Sequence, residues 1–298
     1  LFEASIKLKN GKDMAVSSGP DWKVLADTPF DESAPALSNR KHTQAEYFDA
    51  RKEPMRWKEH GFDDSAWKNA VVVNPGYNLR AQYMPESKID RVIDPVEMKK
   101  PGSGVYLFKL PEEIGGWARI IASAEAGTVV RMRYSDRLLL GRAFHGASDE
   151  PTKTYFDQYT FAGQGIETWE PSFGYRGFRY IELTGYPEKL LPENIKGVFV
   201  HTDLKPTAQF ESSNPLLNQI YKISVHTQAL GMVGQLVDCV HREQSQWHAD
   251  AEIQSGTVFY NFYDPQIVRK TLIDLKDGQF EDGRLNDFYP SSRRDFNY

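Results

Sequence analysis

The chain has 298 residues, of which 26% are charged and 40% hydrophobic, with a mean hydropathy of −0.56. That is a globular, water-compatible profile with room for two or three domains. The net charge of −5 leaves no basic surplus to neutralise phosphates, which argues against a nucleic-acid or anionic-membrane partner. No apolar run reaches the roughly 18 residues of a membrane span, and the single cysteine, Cys239, excludes an intrachain disulfide and any multi-cysteine metal site.

Residues 1–100 read as β-rich with irregular connections. Leu1, Ile6 and Leu8 begin in strand-like alternation, and Asn10-Gly11 is a hairpin turn signal. Asp49, Asp63 and Asp64 invite a calcium or sugar site, but turns and caps ahead of a buried Trp67 account for Asp-Asp-Ser more simply. Residues 79–95 are polar, carry Pro85 and Pro95, and read as a crossing linker. Strands return with Val105-Tyr106-Leu107-Phe108 and Ala118-Arg119-Ile120-Ile121. They continue through the clearest alternating run, residues 128–134, and through 154–161, 178–183 and 198–201. Glycine turns between strands, with no interposed helix, indicate an antiparallel sandwich.

The helical region starts at Asn214-Pro215, an N-cap followed by a proline at the first helical position. Leu216, Leu217, Ile220, Ile223, Leu230 and Val233 fall near one helical face over residues 215–236. Ile253, Val258, Phe259 and Phe262 form a second apolar pattern. Asp264-Pro265 opens a third helix with Ile267, Val268, Leu272 and Leu275. Between the first two helices lie Asp238, Cys239, His241, Arg242, Glu243, Trp247, His248 and Asp250. Charges in such a loop are commonly just solvated. A tryptophan among them is what a sugar pocket uses, laying its ring against C–H groups. Paired carboxyl groups are what glycosidic-bond cleavage needs, one donating a proton and another helping water attack. A Cys239/His241/His248 metal cluster would crowd three ligands into one short loop and is not favoured.

The pattern Asp-Cys-x-x-Arg-Glu, then Trp, then x-x-Asp resembles the signature of bacterial α-L-rhamnosidases, glycoside hydrolase family 78. Two further segments are similar to that family. These are Glu46-Tyr47-Phe48-Asp49-Ala50-Arg51 with Gly61-Phe62-Asp63-Asp64-Ser65-Ala66-Trp67, and residues 170–180. The resemblance implies a multidomain fold, mainly β followed by α. Two antiparallel β-sandwich or jelly-roll-like domains would precede the first helices of an (α/α)6 barrel. The units expected are an N-terminal β-sandwich with linker over 1–95, a second sandwich over 96–205, and an incomplete barrel over 206–298. It further implies Glu243 as general acid and Asp238, Arg242, Trp247 and Asp250 as the lining of a rhamnose pocket, with no metal and no cofactor. The substrate implied is a rhamnose-containing glycoside or polysaccharide. Such compounds are met outside the cell, so a periplasmic or secreted location is expected.

This chain departs from the pattern in places. Val240 stands where proline is usual, Gln246 replaces a glycine, His248-Ala249 replaces Thr-Gly, and Lys109-Leu110-Pro111 stands where Asp-Phe-Gly is common. An (α/α)6 barrel needs about twelve helices, so the chain reads as the front part of a longer enzyme. Family members invert configuration with a second glutamate from a later loop. No segment here matches that loop, although Glu252 is chemically able, and the isolated chain is expected to be inactive. Two other readings stay open, a hydrolase of the same barrel type for another sugar and a non-catalytic carbohydrate-binding β-sandwich protein.

Overall fold

The computed structural model describes residues 2–35, 44–73, 76, 82, 84–144, 156–187, 189–240 and 243–291. The chain opens with a hairpin of β1 (Glu3–Lys7) and β2 (Asp13–Ser17), turned by Gly11 at a φ of 80° where a side chain would be strained. Strand β3 (Lys23–Val24) later pairs with β5 (Lys68–Asn69), and β4 (Tyr47–Asp49) lies between them in sequence. The acids around β4 serve local structure. Asp49 Oδ1 accepts from the Arg51 N–H at 3.1 Å and the carboxylate pairs with its guanidinium, while Asp63 Oδ1 accepts from Ser65 N–H at 3.0 Å.

The expected crossing linker is partly a strand. In residues 79–95 the segment β6 (Ser87–Ile93) pairs antiparallel with a strand more than a hundred residues on. Its apolar residues, Ile89, Val92 and Ile93, are interrupted by the charged Lys88, Asp90 and Arg91, and the strand is a largely exposed edge. There follow β7 (Glu97–Gly102), the 19-residue β8 (Val105–Ser123), β9 (Val129–Ser135), and the short hairpin β10 (Arg137–Leu139) and β11 (Arg142–Phe144). Then come β12 (Asp157–Thr160), β13 (Ile166–Trp169), β14 (Arg176–Thr184) and β15 (Ile195–Thr202). Among the described residues nine of these strands make one sheet, ordered β4-β12-β9-β14-β8-β15-β6, with β7 and β13 also on β8. Pairing is antiparallel with one exception, β4 beside β12, which run parallel.

Strand β8 organises this sheet by changing partners halfway. Its first half pairs with β14 and β7, and from Gly116 onward it pairs with β15 and β13. The runs 105–108 and 118–121 read separately from the sequence are parts of this one strand, with Pro111 and Gly115-Gly116 between them. The backbone bends at that point and continues, curling the sheet around Phe108, Phe161, Phe178 and Phe199, all essentially inaccessible. Phe48 of β4 joins this core beside Tyr159, which stacks on Trp169 at 5.1 Å between ring centroids.

Three helices complete the described chain, α1 (Pro215–Leu230), α2 (His248–Asn261) and α3 (Pro265–Asp277). The fold is therefore mainly β followed by α. The expected caps are made, Asn214 Oδ1 accepting from Leu216 N–H at 2.9 Å and Asp264 Oδ1 from Gln266 N–H at 2.6 Å. Helix α1 stops at Leu230, six residues before the apolar pattern does. Gly231 caps it, Gly234 takes a φ of 74°, and the turn is tied to β15 by Thr202 N–H to Met232 O at 2.6 Å and Gly234 N–H to Thr202 Oγ1 at 2.9 Å. The apolar face read on α1 is exposed over Leu216, Leu217, Ile220 and Ile223, as are Ile253 on α2 and Leu272 on α3. No helix is long and apolar enough to cross a membrane among the described residues.

Candidate active site

The acid-rich segment is a loop closed on itself between α1 and α2. Asp238 and Ser245 bond twice, Asp238 N–H to Ser245 O and Ser245 N–H to Asp238 Oδ1, each at 3.0 Å. Inside this clasp Glu243 N–H donates to Cys239 Sγ at 3.1 Å. Gln244 sits at a φ of 52°, unusual for a residue with a side chain. Its amide donates to Val240 O at 2.8 Å and to Tyr175 O, just before β14, at 3.0 Å. Those bonds anchor the strained residue to the sheet, so the loop's shape is set from the β unit as much as from the helices.

The structure brings Glu243 and Trp247 into direct contact. Glu243 is buried at 7% exposure, and its Oε2 accepts from Trp247 Nε1–H at 2.7 Å. The indole in turn packs on Phe288 with centroids 4.7 Å apart. Asp238 and Asp250 meet differently. Both line a cleft of about 610 Å³ formed by α1, residues 237–240 and the start of α2, together with Glu113, Gln254 and Thr257. Asp238 is half-buried, whereas Asp250 is exposed in the first turn of α2. Glu243 and Trp247 are not part of that lining. Arg242 lies outside the described residues.

Burial raises the Asp238 carboxyl above its ordinary value of 3.8, against the bonds from Cys239 and Ser245, and the charge of Glu243 adds to the rise. The folded state therefore holds this proton more tightly than the unfolded chain. Its contribution to stability is full below pH 3.8 and is lost as pH climbs through the raised folded value. Asp238→Asn cannot ionise and keeps an oxygen for Ser245. Its melting temperature relative to wild type is expected to improve on going from acid to neutral pH; a gap that does not change with pH would contradict the assignment. Burial, then the bond to Asp238, push the Cys239 thiol up as well, so it is a packed, protonated acceptor for Glu243 N–H rather than a nucleophile.

Sequence reading missed the part played by Gln246, noted there only as a departure from glycine. Its side chain is 1% exposed. Nε2 donates to Tyr289 O at 2.8 Å and Asp274 Oδ2 at 3.0 Å, while Oε1 accepts from Thr271 Oγ1 at 3.1 Å and from Leu236 N–H at 3.4 Å. It bolts the loop to α3. Gln246→Ala leaves these groups buried without their partner and is expected to cost about 2–4 kcal/mol, read as a lowered midpoint in chemical denaturation. The aliphatic Val240, in place of proline, is buried against Gly115.

Three family models match in succession. They are an α-L-rhamnosidase N-terminal domain over residues 1–91, a bacterial α-L-rhamnosidase concanavalin-like domain over 99–201, and a bacterial α-L-rhamnosidase six-hairpin glycosidase domain over 205–298. The curled β sheet, the helices after it and the carboxylate-bearing loop between them fall in the order of these three models, so the chain is of the class built from those domains. The chain is 32% identical to an α-L-rhamnosidase of Streptomyces avermitilis over 98% of its own length and 30% identical to one of Formosa agariphila over 91%, spanning 28% of each relative. It superposes on the Streptomyces avermitilis α-L-rhamnosidase solved with L-rhamnose with a TM-score of 0.86 at 30% identity, covering 99% of this chain and 28% of that one. The α-L-rhamnosidase of Dictyoglumus thermophilum gives 0.83 at 29% identity, with 95% and 32% covered. The chain belongs to the bacterial α-L-rhamnosidase family.

Proposed function

We propose that the full-length protein removes terminal α-L-rhamnose from glycosides by inverting acid/base hydrolysis, and that residues 238–250 supply the acid and part of the sugar pocket. The observation that carries this reading is the loop itself. A carboxyl group is held in a buried position by an indole N–H, beside a cleft with three further acids on its wall. In this reading Glu243 donates its proton to the glycosidic oxygen as the bond to the anomeric carbon breaks. Asp238, Asp250 and Arg242 accept or donate hydrogen bonds to the ring hydroxyls, and Trp247 covers the apolar C6 methyl group. A base from outside the residues described takes a proton from the water that attacks the opposite face. The exposed apolar side chains away from the cleft, Leu216, Leu217 and Ile220 on α1 and Leu272 on α3, fit this reading, since further hairpins of a six-hairpin domain would cover them. We place the three units at 1–95, 96–205 and 206–298, and the enzyme in the periplasm or outside the cell, where rhamnosides are met.

The stereochemistry supplies the test. Full-length protein given an aryl α-L-rhamnoside and followed by proton NMR is expected to release β-L-rhamnose first, with the α anomer growing in by mutarotation. First appearance of the α anomer would refute inversion, and no release of rhamnose would refute the substrate.

A further inference from the structure

The cleft between α1 and α2 has one wall residue that belongs to neither helix nor the loop between them. Glu113 comes from β8, just before the strand changes partners. Local geometry fixes it there. A Cβ on Gly115 would stand 3.0 Å from Val240 Cγ2 and 3.7 Å from Leu230 O, so the missing side chain is what lets β8 lie against the end of α1 and the acid-bearing loop. His226 of α1 donates from Nε2 to the Glu113 carbonyl at 2.7 Å, pinning the strand to the helix. Glu112 beside it accepts from Arg91 at 2.6 Å and lies 3.8 Å from His226 Nε2. Glu113 lines the cleft together with Asp238 and Asp250, so the sheet, the loop and α2 each bring a carboxylate residue to its wall.

We propose that Glu113 is a substrate-positioning residue contributed by the β sheet, accepting a hydrogen bond from a hydroxyl of the sugar held in this cleft. The inference rests on the reading of the cleft as a saccharide site given above. A carboxylate is an acceptor-only group, and a sugar offers several hydroxyl donors around one ring, so acids on separate elements fix its orientation from separate directions. The β unit is then part of the substrate site as well as its scaffold. Glu113 has no role in proton transfer, so its loss acts on binding rather than on bond cleavage.

The test uses the full-length protein with wild-type Glu113, Glu113→Ala and Glu113→Gln, assayed for L-rhamnose binding by calorimetry and for KM and kcat on an aryl α-L-rhamnoside. Glu113→Ala is expected to weaken rhamnose binding and raise KM by about tenfold or more while kcat stays within about threefold. Glu113→Gln, which keeps an acceptor oxygen, is expected to recover most of the loss. A Glu113→Ala enzyme with unchanged binding and KM overturns the inference and leaves the rhamnosidase reading standing. If the wild-type protein instead hydrolyses a different aryl glycoside and ignores the rhamnoside, the rhamnosidase reading falls, and the same KM comparison on the accepted glycoside decides Glu113. Wild-type protein that binds no rhamnose and hydrolyses no aryl glycoside overturns both.

Discussion

Replacing Glu243 by glutamine in the full-length protein is expected to lower kcat/KM by about 10²–10⁴-fold on rhamnosides with poor leaving groups. Substrates whose leaving group departs without help from a proton should lose far less. The reasoning starts from place rather than identity. Glu243 is the buried carboxyl of the loop, its backbone is held by Cys239 Sγ, and its side chain is held by the Trp247 indole. Glutamine is nearly isosteric and keeps an oxygen to accept from that indole, so the loop should stay folded while the proton is lost. A plot of log kcat/KM against leaving-group pKa is therefore expected to be steeper for Glu243→Gln than for wild type. Parallel lines would remove Glu243 from the acid's role even if the variant were slow.

The largest stability effect is expected at Gly116. A Cβ there would lie 1.8 Å from Val198 O and 3.0 Å from its carbonyl carbon, a collision with the backbone of the adjoining strand β15. No rotamer relieves it, so β8 and β15 have to move apart where β8 changes partners, in the middle of the sheet that carries the core. Gly116→Ala is expected to cost about 4 kcal/mol or more, a large part of a typical domain's 5–15 kcal/mol. That corresponds to a fall of roughly 10 °C in the melting temperature of the β unit. Gly115→Ala is the informative neighbour. Its nearest obstacle is the Val240 side chain, which can shift, so its effect on melting should be much smaller and should fall on activity through the displaced loop. Equal destabilisation by the two variants would mean that the backbone contact is not what demands glycine at 116.

The helix starts were legible because their causes are local. Asn214-Pro215 and Asp264-Pro265 act within one turn, and the structure makes both capping bonds. The alternating run ending at Tyr134 was legible for the same reason, and it is the interior strand β9. Strand β6 was hidden because Lys88, Asp90 and Arg91 break up its apolar signal at an exposed edge, and its partner lies far along the chain. The continuity of β8 was hidden because Pro111 and two glycines mark an interruption in isolation, and only the neighbouring strands convert it into a bend.

At the site the division is similar. The order of acids and tryptophan in residues 238–250 was enough, by resemblance, to name Glu243, Asp238, Trp247 and Asp250 as the residues to watch. Sequence by itself determined which chemical groups are present and where chain-local devices begin the helices, since those depend on neighbours a few residues away. Tertiary structure alone decided that Glu243 is buried against Trp247, that Gln246 fastens the loop to α3, that Tyr175 anchors Gln244, and that Glu113 arrives at the cleft from the sheet. Each of those pairings joins parts of the chain through packing and backbone hydrogen bonds, whose geometry exists only after the sheet has curled and the helices have docked on it.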